Sequence, residues 1–586
     1  MPVVSAICGA AFTVGVCLAL GSLLLRQLRI EFHRLEAALF AFVTGSACLS
    51  LATFVLCLVH QARLAVFLVG GMGAIGWAVW EGRRNWLRSP LPDVPRAWRV
   101  VFVAVFAAFF ACYFFNALAP EISPDGSSYH LGNVARYWRH AGFDWDYHSI
   151  YSSLSQGMEM LFLVAFSIGR HPAAAMVHMA FQAALPLLVL CYGRRFGFPR
   201  VGAFAGLLTY ACPVIGITGI SAYNDLTVAT LSFAVFYLLE VNYEENSSKS
   251  IFLIGLLCGF AYAVKYTAGL ALPLAAGFTR GRRLIALSVG AAVTAGPWVL
   301  RNWLWLGNPT APFLNSWFPN RYWTPAAEHE YLAGLSHYPV FQSYWNSCLQ
   351  LTVLGGLVPG MIGPAWLLLP LSLLALRQPH GRRLLLAGAV YSIPAFLNTE
   401  IRFLIPAIPF FALAFGLAMA DSWGALPAVA LLQALLCWPA VMDTYCDRNA
   451  WRVRGFQFRA ALRLDPESQY ISSHVGDYAL KSAIERNVPA QGRIFSFAGR
   501  AAAYLDRDIV VGYESSQGMR LQEALQNAAA ANSGQRTAAL QAKSAGLGFL
   551  LVNGSDGAAE NMKQHLNTWC LTVLAEANGT TLYRID

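Results

Sequence analysis

Charge is what this chain has least of. Only 12% of its 586 residues are Asp, Glu, Lys or Arg, where a soluble domain carries about 25%. Hydrophobic residues make up 57% and the mean hydropathy is +0.48. A water-soluble globule is thereby excluded, and an integral membrane protein with many spans is implied. CxxC pairs and Cys/His sets at metal-ligand spacing are missing, which leaves no signature of a zinc module. The 12 Cys lie mostly singly within apolar runs, as small buried residues do. Cys348, Cys446 and Cys570 fall in segments read as external, where one disulfide is open to them. No basic n-region or evident cleavage site accompanies the first apolar run, so 3–25 reads as a retained span rather than a signal peptide. Internal repeats and low-complexity tracts are lacking too. The net charge of +10 does not point to nucleic acid. The Lys and Arg sit in short clusters between apolar runs, the positive-inside arrangement.

A span takes about 20 apolar residues. Runs 3–25, 35–59, 64–80 and 100–118 come first, with the densest basic loop (Arg83, Arg84, Arg88, Arg96, Arg99) before the fourth. With that loop in the cytoplasm, both the N-terminus and the residues after 118 lie outside. The run 158–168 has only 11 residues and fits an interfacial or re-entrant helix. Runs 172–192, 201–219 and 226–243 then cross. The 29 residues 251–279 are apolar but for Lys265, and read as a short hairpin with Lys265 near its tip. Runs 284–303, 348–376, 384–397, 403–420 and 425–441 complete about fourteen spans, with every basic cluster on one side.

The expected fold class is therefore an all-α polytopic membrane protein with a small C-terminal α/β domain. Residues 1–99 hold the N-terminal spans and the basic loop. Residues 100–441 form the catalytic membrane domain, with outer loops 119–171 and 304–345. Residues 442–586 form an extracytoplasmic domain. In it, strand-like runs at 493–497, 509–513, 549–553 and 571–574 alternate with helical stretches at 474–487, 518–531 and 556–566.

The polar residues that interrupt this pattern gather at one end of the spans. Pro124-Asp125-Gly126 is a turn signal, and Asp125 is placed to cap a helix starting near Gly126. Tyr129, Gly132 and Arg136 follow at helical spacing on the same face. His130, Asp225, Lys265, Arg301, Glu400 and Arg402 also lie at outer ends. Each has a plainer reading as turn former, helix cap, packing residue or headgroup anchor. Together, one carboxylate and several cations at a lipid headgroup suit transfer of a sugar from a polyprenyl phosphate. The leaving phosphate is weakly basic and needs cations rather than a general acid. The acceptor hydroxyl must lose a proton, which Asp125 can take.

The chain resembles the GT-C class of polytopic glycosyltransferases, in particular members similar to aminoarabinose transferases and protein O-mannosyltransferases. Those carry Asp-Glu-x-x-Tyr in the first large outer loop. Asp125 and Tyr129 match, while Gly126 stands where the Glu would be. Asn224-Asp225, Lys265-Tyr266-Thr267, the Pro297-Trp298…Arg301-Asn302…Gly307-Asn308-Pro309 run and Arg402 to Pro406 match further motifs in order. The resemblance implies an inverting hexosyl- or pentosyltransferase of the bacterial inner (plasma) membrane, with active site and both termini extracytoplasmic. It implies Asp125 and Asp225 as catalytic, and Tyr129, His130, Arg136, Lys265, Arg301 and Arg402 as substrate-binding. No residue is assigned to a metal, though a divalent ion is a candidate cofactor. The partners it implies are a polyprenyl-phosphate sugar donor, a lipid, glycan or protein acceptor, and membrane lipid, without nucleic acid. Three alternatives stay open. One is a flippase or transporter of lipid-linked sugars, for which only His178, Gln182 and Gln433 are polar within spans. Another is a glycan polymerase or ligase with a diphosphate donor. The last is a non-catalytic assembly subunit, suggested by Gly126.

Overall fold

Backbone that crosses lipid must satisfy its own hydrogen bonds, and apolar runs of this length do so as helices. The computed structural model describes every residue except 1, 83–89, 145–148, 246, 321, 337–343, 357–359, 399, 423, 448–454, 498–500, 532–542, 544–545 and 554–570. Arg83, Arg84, Arg88, Cys570 and the expected helix 556–566 thus lie outside the described residues. The chain divides into two compact units. A helical unit comprises Met1–Ala119, Ser155–Trp298 and Leu335–Leu462. A mixed unit comprises Pro120–Leu154, Val299–Gly334 and Arg463–Asp586.

Among the described residues of the chain, eight helices are long and apolar enough to cross a membrane, or nine if one bent pair counts as a span. Four shorter apolar helices accompany them. By that measure the expected fourteen is not reached, because several expected spans are broken. The run 201–219 bends by 64° between Pro199–Tyr210 and Pro213–Gly219, where Pro213 lacks the N–H that would continue the ladder. The run 348–376 is broken into the Tyr344–Leu349 helix, a π turn at Gln350–Leu354 and a 3-10 stretch over Pro364–Arg377. The expected break near 170 is present. Arg170 adopts φ +59° inside Gly157–Arg195, so 157–169 forms a separate helix. Its residues are buried on all sides, so it is not the interfacial helix that its length allowed.

Small residues let these helices touch. A Cβ on Gly21 would fall 1.8 Å from the Ala41 carbonyl oxygen, and one on Gly45 would fall 1.6 Å from that of Cys17. The first two helices therefore meet backbone to backbone. Leu64–Gly82, by contrast, leaves Val69, Met72 and Trp77 exposed, as lipid-facing apolar residues would be. Cys348 and Cys446 are free thiols, which removes the pairing between those two.

The two ends of the Asp225–Glu245 helix carry different chemistry. Glu240 forms ion pairs with Arg383 at 2.9 Å and with His380 at 3.2 Å. Nearby in the same unit, buried Glu36 accepts from Arg195 at 2.9 Å and from the Tyr237 hydroxyl. Asp225 begins the helix, about 22 Å from Glu240 at 1.5 Å per residue.

In the mixed unit a five-stranded sheet runs β2-β1-β3-β5-β4. Its strands are β1 (Arg493–Ser496), β2 (Asp508–Val511), β3 (Leu547–Asn553), β4 (Leu571–Ala577) and β5 (Thr580–Ile585). Parallel β1 flanked by β2 and β3 gives way to an antiparallel hairpin of β4 and β5. Asn578 and Gly579 turn that hairpin with φ +49° and +75°, the conformation an Asn-Gly pair favours.

Candidate active site

In the mixed unit the chain around Asp125 is helical already at Pro124, so the expected cap does not form. Asp125 has φ −75° and ψ −36°, and its side chain makes no capping bond. A π turn follows at Gly126–His130 before the regular helix Leu131–His140. The half-buried carboxylate instead accepts from the Tyr129 hydroxyl at 3.0 Å. Tyr129 stacks on Tyr151, with ring centroids 3.7 Å apart, and packs on buried His130 at 4.3 Å. Burial, with neighbouring phenols and Glu514 adding to it, pushes the Tyr151 phenol well above its usual range.

Gly126 sits against two polar side chains that leave no room for a larger residue. A Cβ there would lie 2.5 Å from Ser123 Oγ and 2.8 Å from the carboxyl carbon of Glu121. Glu121 is buried, and its Oε1 accepts from the Ser123 N–H at 2.7 Å. A second carboxylate thus reaches this turn from five residues upstream. In the sequence Glu121 is marked only by its place just after the apolar run 100–118.

Arg136 and Arg301 also belong to the mixed unit. Arg136 donates to Asp144 at 2.6 Å and to Asp508 at 3.1 Å. Arg301 is 3% exposed, and its Nη2 donates to the carbonyls of Ser152, Ser153 and Leu154. Asn302 joins it by donating to the Ser153 and Ala311 carbonyls. These two guanidiniums hold loops together.

The other polar cluster lies in the helical unit. Lys265 ends the Ser248–Val264 helix with extended backbone, and a 3-10 turn and a second helix, Ala271–Phe278, pack back on it, as a hairpin requires. Its ammonium donates to Asp225 at 2.6 Å, with the Asp225 side chain 4% and the Lys265 side chain 20% exposed. Arg402 pairs with Glu400 and lies over the Tyr223 ring at 5.5 Å. The Phe403 ring takes both cations, Lys265 at 4.4 Å and Arg402 at 5.9 Å. Asp225, Lys265, Thr267, Tyr391 and Arg402 line a small cavity of about 10 Å³.

Asp225 is held from below. His178 accepts the Leu226 N–H on Nε2 at 3.0 Å, so its Nδ1 carries the proton given to the Ser221 carbonyl at 2.8 Å. Asn224 donates to the Val264 carbonyl at 3.2 Å, which ties the turn before Asp225 to the Lys265 break. Gln182 and Gln433 serve broken backbone in the same way, though buried Glu36 and Glu240 show that the spans hold polar groups beyond these two and His178. Gln182 donates to the Ile215 carbonyl, and Gln433 bridges the Ile362 carbonyl and the Ala365 N–H. Among the described residues no three of His, Cys, Asp and Glu converge as metal ligands would.

No family model and no curated protein matches the sequence. Solved structures do. ArnT from Cupriavidus metallidurans, bound to undecaprenyl phosphate, aligns with a TM-score of 0.52 at 14% identity, over 84% of this chain and 99% of that one. The apo oligosaccharyltransferase of Archaeoglobus fulgidus aligns with a TM-score of 0.44 at 11% identity, over 77% of this chain and 69% of that one. The first likeness shows the fold: this chain shares that structure's architecture, here a polytopic helical bundle with a small sheet-bearing domain.

Proposed function

We propose that the chain is a glycosyltransferase that moves a sugar from a polyprenyl-phosphate donor to a hydroxyl acceptor on the outer face of the membrane. The observation that carries this reading is the Lys265–Asp225 pair and Arg402, itself paired with Glu400, lining one cavity in the helical unit. The fold supports it, since the ArnT structure that shares it holds undecaprenyl phosphate.

A lone ammonium would not sit at this depth without an anion. Asp225 fixes Lys265 with one of its three N–H donors, leaving two for a phosphate oxygen. Arg402 adds a planar guanidinium suited to phosphate, oriented by Glu400 and the Tyr223 ring. In the reaction the acceptor oxygen attacks the anomeric carbon and the bond from that carbon to the phosphate oxygen breaks. The electron pair leaves with the polyprenyl phosphate, where Lys265 and Arg402 stabilise it. The acceptor proton passes to Asp125, whose orientation Tyr129 sets. A single in-line displacement inverts the anomeric carbon.

Binding of undecaprenyl phosphate to the purified protein, followed calorimetrically, tests the phosphate roles. Lys265→Met and Arg402→Gln should each weaken it at least tenfold. Wild-type affinity in both variants would refute them.

A further inference from the structure

Within the mixed unit a polar cleft of about 50 Å³ opens between the Leu131–His140 helix and β2. We infer that this cleft is the acceptor subsite, and that the group it takes is an uncharged, hydroxyl-bearing saccharide. The inference rests on the glycosyl-transfer reading above. The volume suits the edge of a sugar ring and its hydroxyls rather than a whole oligosaccharide.

The lining looks cationic until its partners are counted. Arg136 is paired with Asp144 and Asp508. Arg139 donates to Asp506 and to the Leu505 carbonyl, both at 3.3 Å. Arg507 gives its donors to the carbonyls of Val488, Asp506 and Glu485. Glu514 is buried and accepts from Ser149 at 2.5 Å. Three guanidiniums therefore face four carboxylates, Asp144, Asp506, Asp508 and Glu514. An anionic acceptor would have to displace a carboxylate from an arginine before gaining anything. A neutral hydroxyl both donates and accepts, and so can join such a lattice without breaking it.

One donor in the lattice lacks its acceptor. Asn133 is 7% exposed and lines the cleft. Its Oδ1 accepts from Ser152 at 3.0 Å, while its amide N–H groups have no partner among the described residues. This donor lines the cleft without a protein acceptor, so a ligand oxygen can take it. The cleft also connects to the proposed base through one side chain. Tyr129 lines it and donates to Asp125. A hydroxyl seated against Tyr129 is thereby presented to the carboxylate that takes its proton.

The test uses the full-length protein in nanodiscs, a panel of neutral hexose trisaccharides, and trisaccharides of hexuronic acid. Binding is read by saturation-transfer NMR and calorimetry, and undecaprenyl phosphate is titrated into the same preparations. Asn133→Asp keeps the size and the acceptor for Ser152 but removes the donor. Gly132→Ala narrows the cleft, and its Cβ would lie 3.5 Å from that of Ala502, an ordinary contact that the fold accepts. A neutral trisaccharide should bind the wild type, at least tenfold more weakly to Asn133→Asp and at least threefold more weakly to Gly132→Ala. The uronate should bind the wild type at least tenfold more weakly than the neutral sugar. If undecaprenyl phosphate binds but no neutral trisaccharide does, or the uronate binds better, or both variants bind the neutral sugar as the wild type does, this inference fails alone. If undecaprenyl phosphate also fails to bind, the glycosyl-transfer reading fails with it.

Discussion

The roles proposed for Asp125 and Lys265 differ, and so do their surroundings. Asp125 is half-buried with a hydroxyl donor on one oxygen, as a base that must exchange a proton requires. Asn at 125 should lower turnover at least about a hundredfold, the scale of lost general-base catalysis, while leaving carrier affinity within twofold. Turnover and calorimetric titration on one preparation separate these. Lys265 is paired with a carboxylate that is almost wholly buried. Lys265→Met strands that charge and should cost on the order of 3 kcal/mol, whereas Asp225→Asn, leaving the partly exposed ammonium, should cost less. Chemical unfolding of the two variants gives the order. Gly126 offers a third test. Gly126→Glu would insert a side chain where Glu121 and Ser123 already lie, so it should reduce activity rather than raise it. Adding Glu121→Ala should restore part of the loss.

At the scale of elements, the sequence was legible wherever a long apolar run could be straight. It also placed the break near Arg170 and the Lys265 hairpin, because a run too short to span and a cation within lipid both demand explanation. The bend at Pro213 was hidden, because 201–219 is apolar enough to pass for one helix and its carbonyls find partners in Gln182 and elsewhere. Strand β5 was missed although Asn578-Gly579 is a strong hairpin signal. The site residues were named by position, but their partners could not be read. Asp508 lies 372 residues from Arg136, and no local pattern announces that pair. Two predictions belong here. Gly579→Val forces a β-branched residue to φ +75° and should cost about 1–2 kcal/mol in unfolding of the mixed unit, with carrier binding unchanged. The Tyr151 phenol is held neutral by the fold, so its contribution to stability is complete below the unfolded phenol value of about 10 and declines as pH rises through its higher folded value. Absorbance titration should show fewer phenols ionising near pH 10 in folded wild type than in unfolded protein, and Tyr151→Phe should reduce that difference by one phenol.

At the scale of the molecule, the helical unit holds a small ion-paired cavity, and the mixed unit holds a carboxylate, a phenol and a hydrogen-bonding cleft. Apolar composition makes the bundle, and the proposed roles fall on a few of the charges that remain. Membranes carrying the protein, supplied with a polyprenyl-phosphate hexose labelled in the sugar, address that division of labour most directly. Wild type should release polyprenyl phosphate and move the label to a new product with the anomeric configuration inverted, and Asp125→Asn should do neither while still binding the carrier. Equal label transfer by the two proteins, or retention of configuration, would contradict the account.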